Sequence, residues 1–495
     1  MNVGASDYGQ AVALIDSCSV SCVVRSSPEV KVFVPPADMR QRERIASCRL
    51  LVVPDRGSWC LLTPPQMAAF RQWQKGVTLG QALEGDAELR RQLLVALYRR
   101  GMITINGKLS TLPDTVAQGD SEPTFIALHI AQGCNLRCAY CYHAATQGRN
   151  LAPQAAIALL EKACLELKSE HIQVDFLGGE PLLAWPAIVE VMAASRSLQD
   201  RYGKQIHFLM QTNGVLLTPE VVRVLLEYRV GVGVSIDGPA WLHDSQRPTS
   251  QGQPSHARVV QNMLRARELG LDVNPLAVVT RPECQADTLE YFVRELGVRA
   301  VRFGNIGNLG RARESFGHTP DGVAYSRGFL AMAERALALA RSLDERLRIY
   351  NLGSFLHNLV QPSRPEMCRR SPCGLGANII SLSEDGWLYA CEEYEESTRA
   401  RMRLGRLAEV NLGDLRSTAP FWRDFKPRTV ESIPRCSRCV WRKFCGGGCA
   451  QRTLAAYGDW YREDPFCAYY ERVFPGLIWR IGEDTDYLKY LMFSD

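Results

Sequence analysis

The sequence predicts an α/β protein: a partial (β/α)6 barrel, preceded by a winged-helix-like domain and followed by a cysteine-rich domain. Three observations carry this expectation. Between residues 122 and 320 six short apolar runs alternate with helix-like segments. Ahead of them lies a hairpin pattern followed by short helices, and from 365 to 470 cysteines recur at close spacing. With 495 residues the chain is too long for one ordinary compact core.

Taken in order, the N-terminal part offers Leu50 to Val53, a turn at Asp55-Arg56-Gly57, and Trp59 to Leu62. Helices follow at Pro65 to Gln74 and Ala87 to Arg100, then a returning strand at Met102 to Ile105. A hairpin with two or three short helices is the winged-helix pattern, which serves DNA and also peptides bound by strand addition. Polar residues from Asp114 to Glu122 read as a linker. The central strands are expected at Phe125 to Ile130, Val174 to Leu177, Ile206 to Gln211, Val232 to Ile236, Val273 to Val279 and Ala300 to Phe303. Helices between them are expected at Pro153 to Leu167, Trp185 to Asp200, Pro219 to Glu227, Ala257 to Leu269 and Ala286 to Leu296. Six units fall short of the eight in a closed barrel, so the barrel is open, with its chemistry at the carboxyl ends of the strands.

A net charge of +5 is a mild excess that does not imply nucleic acid and suits an acidic peptide partner. No run approaches the roughly 20 apolar residues of a membrane helix, and the first residues lack a signal-peptide pattern, so a cytoplasmic location without membrane contact is expected. The 17 cysteines would then stay reduced, and closely spaced reduced cysteines read as metal ligands.

Directly after the first central strand stands Gly133-Cys134-Asn135-Leu136-Arg137-Cys138-Ala139-Tyr140-Cys141. Three thiolates from one loop can hold three irons of a 4Fe-4S cluster and leave the fourth open. This spacing, with an aromatic before the last cysteine, resembles the signature of the radical S-adenosylmethionine superfamily, whose barrel is TIM-like. The resemblance implies that the open iron chelates S-adenosylmethionine, that reductive cleavage yields a 5'-deoxyadenosyl radical, and that Tyr140 lies near the adenine. Gly178-Gly179-Glu180-Pro181 follows the second strand and, by the same resemblance, receives the methionine amino group, with Glu180 accepting its hydrogen bond. Thr212-Asn213-Gly214 ends the third strand and Ser235-Ile236-Asp237-Gly238-Pro239 the fourth. Family pattern brings Asn213, Ser235, Asp237 and Arg247 to the cofactor, Arg247 as partner of its carboxylate.

Downstream, Cys373, Cys391, Cys436, Cys439, Cys445, Cys449 and Cys467 resemble a seven-cysteine SPASM domain, and Cys368 supplies an eighth thiol. Two sets of four saturate two auxiliary 4Fe-4S clusters, three clusters in all. Resemblance to sulfatase-maturing and peptide-modifying members assigns Cys368, Cys373, Cys391 and Cys449 to one, and Cys436, Cys439, Cys445 and Cys467 to the other. Structural zinc is the alternative for such Cys-x2-Cys pairs. Cys18, Cys22, Cys48, Cys60, Cys164 and Cys284 form no second array.

In sulfatase-maturing relatives an aspartate follows the cysteine matching Cys391 and acts as base; Glu392 stands there in this chain. The N-terminal pattern looks like the peptide-recognition domain fused to maturases of ribosomally made peptides. The expected organisation is therefore a leader-recognition domain over 1–118, the barrel over 122–320, a helical bridge over 321–364, the SPASM domain over 365–470 and a tail over 471–495. The expected function is oxidative crosslinking of a precursor peptide with a leader segment, with an electron donor such as flavodoxin or ferredoxin. Formylglycine formation in sulfatases is the first alternative, and an iron-sulfur redox sensor on DNA is the distant one.

Overall fold

A computed structural model describes residues 11–13, 15–110, 122–143, 148–317, 321–361, 366–394, 396–425 and 428–492. The expected linker lies almost wholly outside them, as do the expected boundaries at 118, 320 and 364.

Two small sheets form the N-terminal part. Strand β1 (Val23–Ser26) lies between β5 (Val77–Thr78) and β6 (Ile103–Ile105), while β2 (Lys31–Phe33), β3 (Arg49–Val53) and β4 (Ser58–Leu62) form an antiparallel sheet. Helix α1 (Pro64–Gln74) starts where sequence dictates: Thr63 and Gln66 make a reciprocal capping box, and prolines occupy its first turn. With α2 (Ala87–Arg99), capped by Asp86, it buries Phe70, Trp73, Leu94 and Leu97 in a separate core. The hairpin and both helices match the expectation; the second sheet was not anticipated.

The central sheet holds six parallel strands: β7 (Phe125–Ala131), β8 (His171–Gly178), β9 (Gln205–Thr212), β10 (Gly231–Ser235), β11 (Val273–Val279) and β12 (Ala300–Asn305). Helices α3 (Pro153–Glu166), α4 (Trp185–Tyr202), α5 (Pro219–Glu227), α6 (His256–Glu268) and α7 (Gln285–Arg294) connect them. Strand periodicity sorts the side chains by face. On β8, Ile172, Val174 and Phe176 are fully buried, Phe176 stacking on Phe208 of β9 at 5.4 Å. Asp175 points the other way, and the register runs Asp175 to Leu209, Gln211 to Gly233, and Ser235 through Leu276 to Arg302. Those residues share the concave face.

The sheet is wider than six strands. β13 (Arg348–Ile349) extends the β12 edge, and β14 (Ile379–Leu382), β15 (Trp387–Tyr389) and β16 (Arg403–Arg406) extend the β7 edge. Both barrel edges are thus hydrogen-bonded by later chain, which removes the exposed backbone an open barrel would present.

After β12 come α8 (Arg311–Phe316), α9 (Gly322–Leu343), α10 (Tyr350–Val360), α11 (Ala450–Tyr457), α12 (Cys467–Glu483) and α13 (Asp486–Leu491). The expected tail is not peripheral: α12 runs through residue 470, and its Leu477, Ile478 and Trp479 are buried. Among the described residues no helix is long and apolar enough to cross a membrane.

Candidate active site

The loop leaving β7 carries Cys134, Cys138 and Cys141, and backbone bonds fix it against the turn after Arg247. Arg137 N–H donates to Pro248 O at 2.8 Å, Ala139 N–H to Gln246 O at 2.9 Å, and Ser250 N–H to Asn135 O at 3.0 Å. Cys134 Sγ accepts from Leu136 N–H at 3.4 Å and faces Asn213 Nδ2 at 3.7 Å; Cys138 Sγ faces Arg247 Nη1 at 3.9 Å. Burial first, and then Glu180, Cys138 and Cys141 nearby, push the Cys134 thiol up to about 11 against the pull of the Leu136 N–H. Three cysteines on one loop, with N–H donors aimed at the sulfurs of Cys134 and Cys138, fit a group that binds thiolates and releases their protons.

Gly178 and Gly179 close the next turn onto that loop. Gly179 N–H donates to Ala131 O at 2.7 Å and Glu180 N–H to Gly133 O at 2.9 Å. Gly178 has φ +131°, and a Cβ on either glycine would run into the Ala131 or Gly133 backbone. The buried Glu180 carboxylate accepts from Leu182 N–H (3.1 Å), Thr212 Oγ1 (2.6 Å) and Asn213 N–H (2.7 Å). It therefore fastens the ends of β8 and β9 together, leaving lone-pair capacity for one further donor.

Asp237 is the other organiser. Its Oδ2 accepts from Tyr140 Oη at 2.6 Å and Arg247 Nε at 3.0 Å, and its Oδ1 from Val278 N–H at 2.9 Å. The Arg247 guanidinium lies 5.1 Å from the Tyr140 ring centre. Ser235 accepts from Gln211 Nε2 at 3.0 Å, and Gly233 leaves the room Gln211 needs. All these predicted cofactor residues thus gather at the carboxyl ends of β7 to β10.

Sequence reasoning missed His243, which is fully buried. Its Nδ1 accepts Asp237 N–H at 3.3 Å, so Nε2 carries the proton and donates to Ser255 Oγ, which in turn donates to Arg247 O at 2.6 Å. Burial, with Arg247 adding to it, drops its pKa to about 3, so the ring is a neutral strut. His129 and His143, stacked at 5.8 Å beside Tyr394, were missed too. Burial holds His129 near 3 as well. In sequence each is only a lone histidine, His129 inside a strand and His143 in the loop after Cys141.

The C-terminal cysteines fall into two neighbourhoods. Cys368 is exposed as a residue, yet burial of its sulfur, followed by Cys373 and Cys449 nearby, pushes its thiol up; Cys391 feels Cys449 and Cys368 after burial and Glu392. Separately, burial and Cys439 raise Cys436 to about 11, and Cys467, raised by burial to about 12, feels Cys439 and Cys436. Cys445 feels Cys436, Cys467 and Cys439. Among the described residues no three His, Cys, Asp or Glu side chains converge as they would on a single metal ion.

Glu392 projects toward the concave face, where burial first and then Asp175 and Glu393 push its carboxyl up to about 8, with Arg302 opposing. Asp175, not anticipated from sequence, is raised to about 7 by burial, and its Oδ1 has no partner among the described residues. Across the molecule the N-terminal part packs on the cysteine-rich part, where Phe33 lies 5.7 Å from Trp441 and Asp55 pairs with Arg442, and on α10, where Trp59 Nε1 donates to Leu359 O at 2.7 Å.

Residues 128–292 match the model of the radical SAM superfamily. The serine-type anaerobic sulfatase-maturating enzyme of Klebsiella pneumoniae is 27% identical over 370 residues, covering 70% of this chain and 86% of that enzyme. Among solved structures, native anSMEcpe with bound AdoMet and Cp18Cys peptide has a TM-score of 0.60 at 21% identity, covering 73% of this chain and 99% of that one. Streptococcus suis SuiB bound to S-adenosylmethionine has a TM-score of 0.53 at 15% identity and covers 90% of this chain and 99% of that one. These structural likenesses establish the fold: the radical SAM α/β sheet followed by a C-terminal domain.

Proposed function

From the premise that this chain is a radical S-adenosylmethionine enzyme of the maturase kind, we propose that it crosslinks a ribosomal precursor peptide through a thioether or carbon-carbon bond. Such enzymes bind a 4Fe-4S cluster and S-adenosylmethionine, which together supply a radical able to take hydrogen from an unactivated carbon. Cys134, Cys138 and Cys141 would hold that cluster. Glu180, Asn213, Ser235 and Arg247 would orient the cofactor, and Tyr140, pinned by Asp237, would flank it. The two thiol neighbourhoods would hold two auxiliary clusters, Cys368, Cys373, Cys391 and Cys449 in one and Cys436, Cys439, Cys445 and Cys467 in the other. Glu392, on the concave face next to Cys391, would take a proton from the peptide. An electron donor such as flavodoxin or ferredoxin would complete the system.

The observation that carries the peptide reading is the N-terminal module seated on the cysteine-rich part. The β2–β3–β4 sheet ends on β2, whose outer edge pairs with no other strand among the described residues, and Val32 on it and Val34 just past it are 44% and 54% exposed. An extended leader would add to that edge, using main-chain hydrogen bonds for affinity and side-chain pockets for choice. The SuiB likeness, which spans nine tenths of this chain, supports the same reading. The sulfatase-maturing alternative is favoured by the identity to the Klebsiella enzyme over 70% of this chain.

Co-expression with short open reading frames flanking its gene, followed by mass spectrometry, tests the choice. A peptide that loses two hydrogens, and only with its leader attached, supports the maturase. An aldehyde formed on a leaderless sulfatase fragment, with no flanking peptide modified, overturns it.

A further inference from the structure

Arg311, the first residue of α8, sits far from the cysteine loop in sequence and directly on it in space. Its backbone N–H donates to Cys141 O at 3.0 Å and its side-chain Nε to Cys138 O at 2.9 Å. Nη2 is buried and has no partner among the described residues. Gly310 makes this approach possible: its φ is +52°, and a Cβ there would overlap the carbonyl oxygens of Cys141 and Tyr142. A strand-to-helix turn has thus been brought so close to the loop that only glycine fits, and the following residue spends its main chain and its guanidinium on two of the three cysteines.

Leaving Nη2 unpaired in a buried place is costly unless another acceptor arrives, and here the donor stands beside the cysteine loop. Arg247 Nη1 already faces the Cys138 sulfur at 3.9 Å. Cys138 therefore has one guanidinium at its sulfur and another at its carbonyl oxygen. A thiolate-bound cluster carries net negative charge, and nearby cations stabilise its reduced form further.

We propose that Arg311 is the positioning residue of the cysteine loop, fixing the carbonyls of Cys138 and Cys141 while its free Nη2 supplies, beside Arg247, a second positive charge to the anionic cluster. This rests on the reading that Cys134, Cys138 and Cys141 bind a 4Fe-4S cluster.

The test compares wild type, Arg311→Met, Arg311→Lys and, as a control for charge on the same helix, Arg313→Met, all reconstituted anaerobically as full chains. Thermal melting checks folding. Iron per chain, and the reduction midpoint of the electron paramagnetic resonance signal that S-adenosylmethionine perturbs, are the readouts; fully ligated auxiliary clusters should not respond to the cofactor. Arg311→Met is expected to keep its melt while shifting the reduction equilibrium about tenfold toward oxidised, about 59 mV more negative for a one-electron couple. Arg311→Lys should recover most of the midpoint but broaden the signal, and Arg313→Met should match wild type. A wild-type midpoint in Arg311→Met, an equal shift in Arg313→Met, or lost melting in both Arg311 variants would overturn the proposal. A wild-type protein with no cofactor-responsive signal would instead sink the cluster reading itself.

Discussion

Asp237 holds Tyr140 and Arg247 through one carboxylate oxygen, at 2.6 and 3.0 Å, with neither Asp237 nor Arg247 more than 6% exposed at the side chain. One residue in the turn after β10 thereby sets both the aromatic of the cysteine loop and the guanidinium that faces Cys138.

Removing that carboxylate leaves a buried guanidinium without its counter-ion. Asp237→Ala should cost about 3–5 kcal/mol in denaturant unfolding, the range for breaking a buried pair. Asp237→Asn should cost less because the amide oxygen can still accept one bond. Calorimetric titration should show S-adenosylmethionine affinity falling at least about tenfold in both, about 1.4 kcal/mol. Wild-type affinity in Asp237→Asn would remove Asp237 from the cofactor site.

Asp175 makes stability pH-dependent in a direction opposite to the usual salt-bridged aspartate. Burial raises its pKa from 3.8 to about 7, so between those values the folded chain holds a proton that the unfolded chain has lost. Stability falls as pH rises through that window, and the penalty is complete above about 7, with an upper bound of about 4 kcal/mol. Asp175→Asn is therefore expected to stabilise the metal-free chain at pH 8 and to change little at pH 4. Urea unfolding at the two values measures it, and a variant less stable at pH 8 contradicts the assignment.

The two thiol neighbourhoods should lose metal independently. Cys373→Ala and Cys467→Ala are each expected to drop iron content by about four per chain, and the double variant by about eight. An equal loss of all iron in either single variant would show that the neighbourhoods form one site.

Glu392→Gln separates peptide chemistry from cofactor chemistry. Cleavage of S-adenosylmethionine without peptide should stay at the wild-type rate, while peptide modification should fall by about 100-fold or more, the size of a lost general base. Unchanged modification would remove Glu392 from the peptide chemistry.

Much of the barrel was legible because its strands are short apolar runs between amphipathic helices: Val273 to Val279 and Pro219 to Glu227 were placed to the residue. The added strands β13 to β16 were not, because two- to four-residue strands carry no period and exist only where an open edge accepts them. Likewise the cysteines announced themselves by spacing, whereas Asp175, His243 and Arg311 are single residues whose meaning comes from tertiary neighbours. Arg311 lies 170 positions beyond Cys141. Glu180, expected to serve the cofactor, also accepts three bonds from this chain, and no motif reports how many partners a carboxylate will find.

The most direct test of the account is anaerobic reconstitution followed by iron counting and an assay of S-adenosylmethionine cleavage, with wild type beside the Cys134, Cys138, Cys141 triple alanine variant. The account predicts about twelve irons in wild type, about eight in the variant, and 5'-deoxyadenosine from wild type alone. Cleavage by the triple variant, or wild type holding four irons or fewer after full reconstitution, would contradict it.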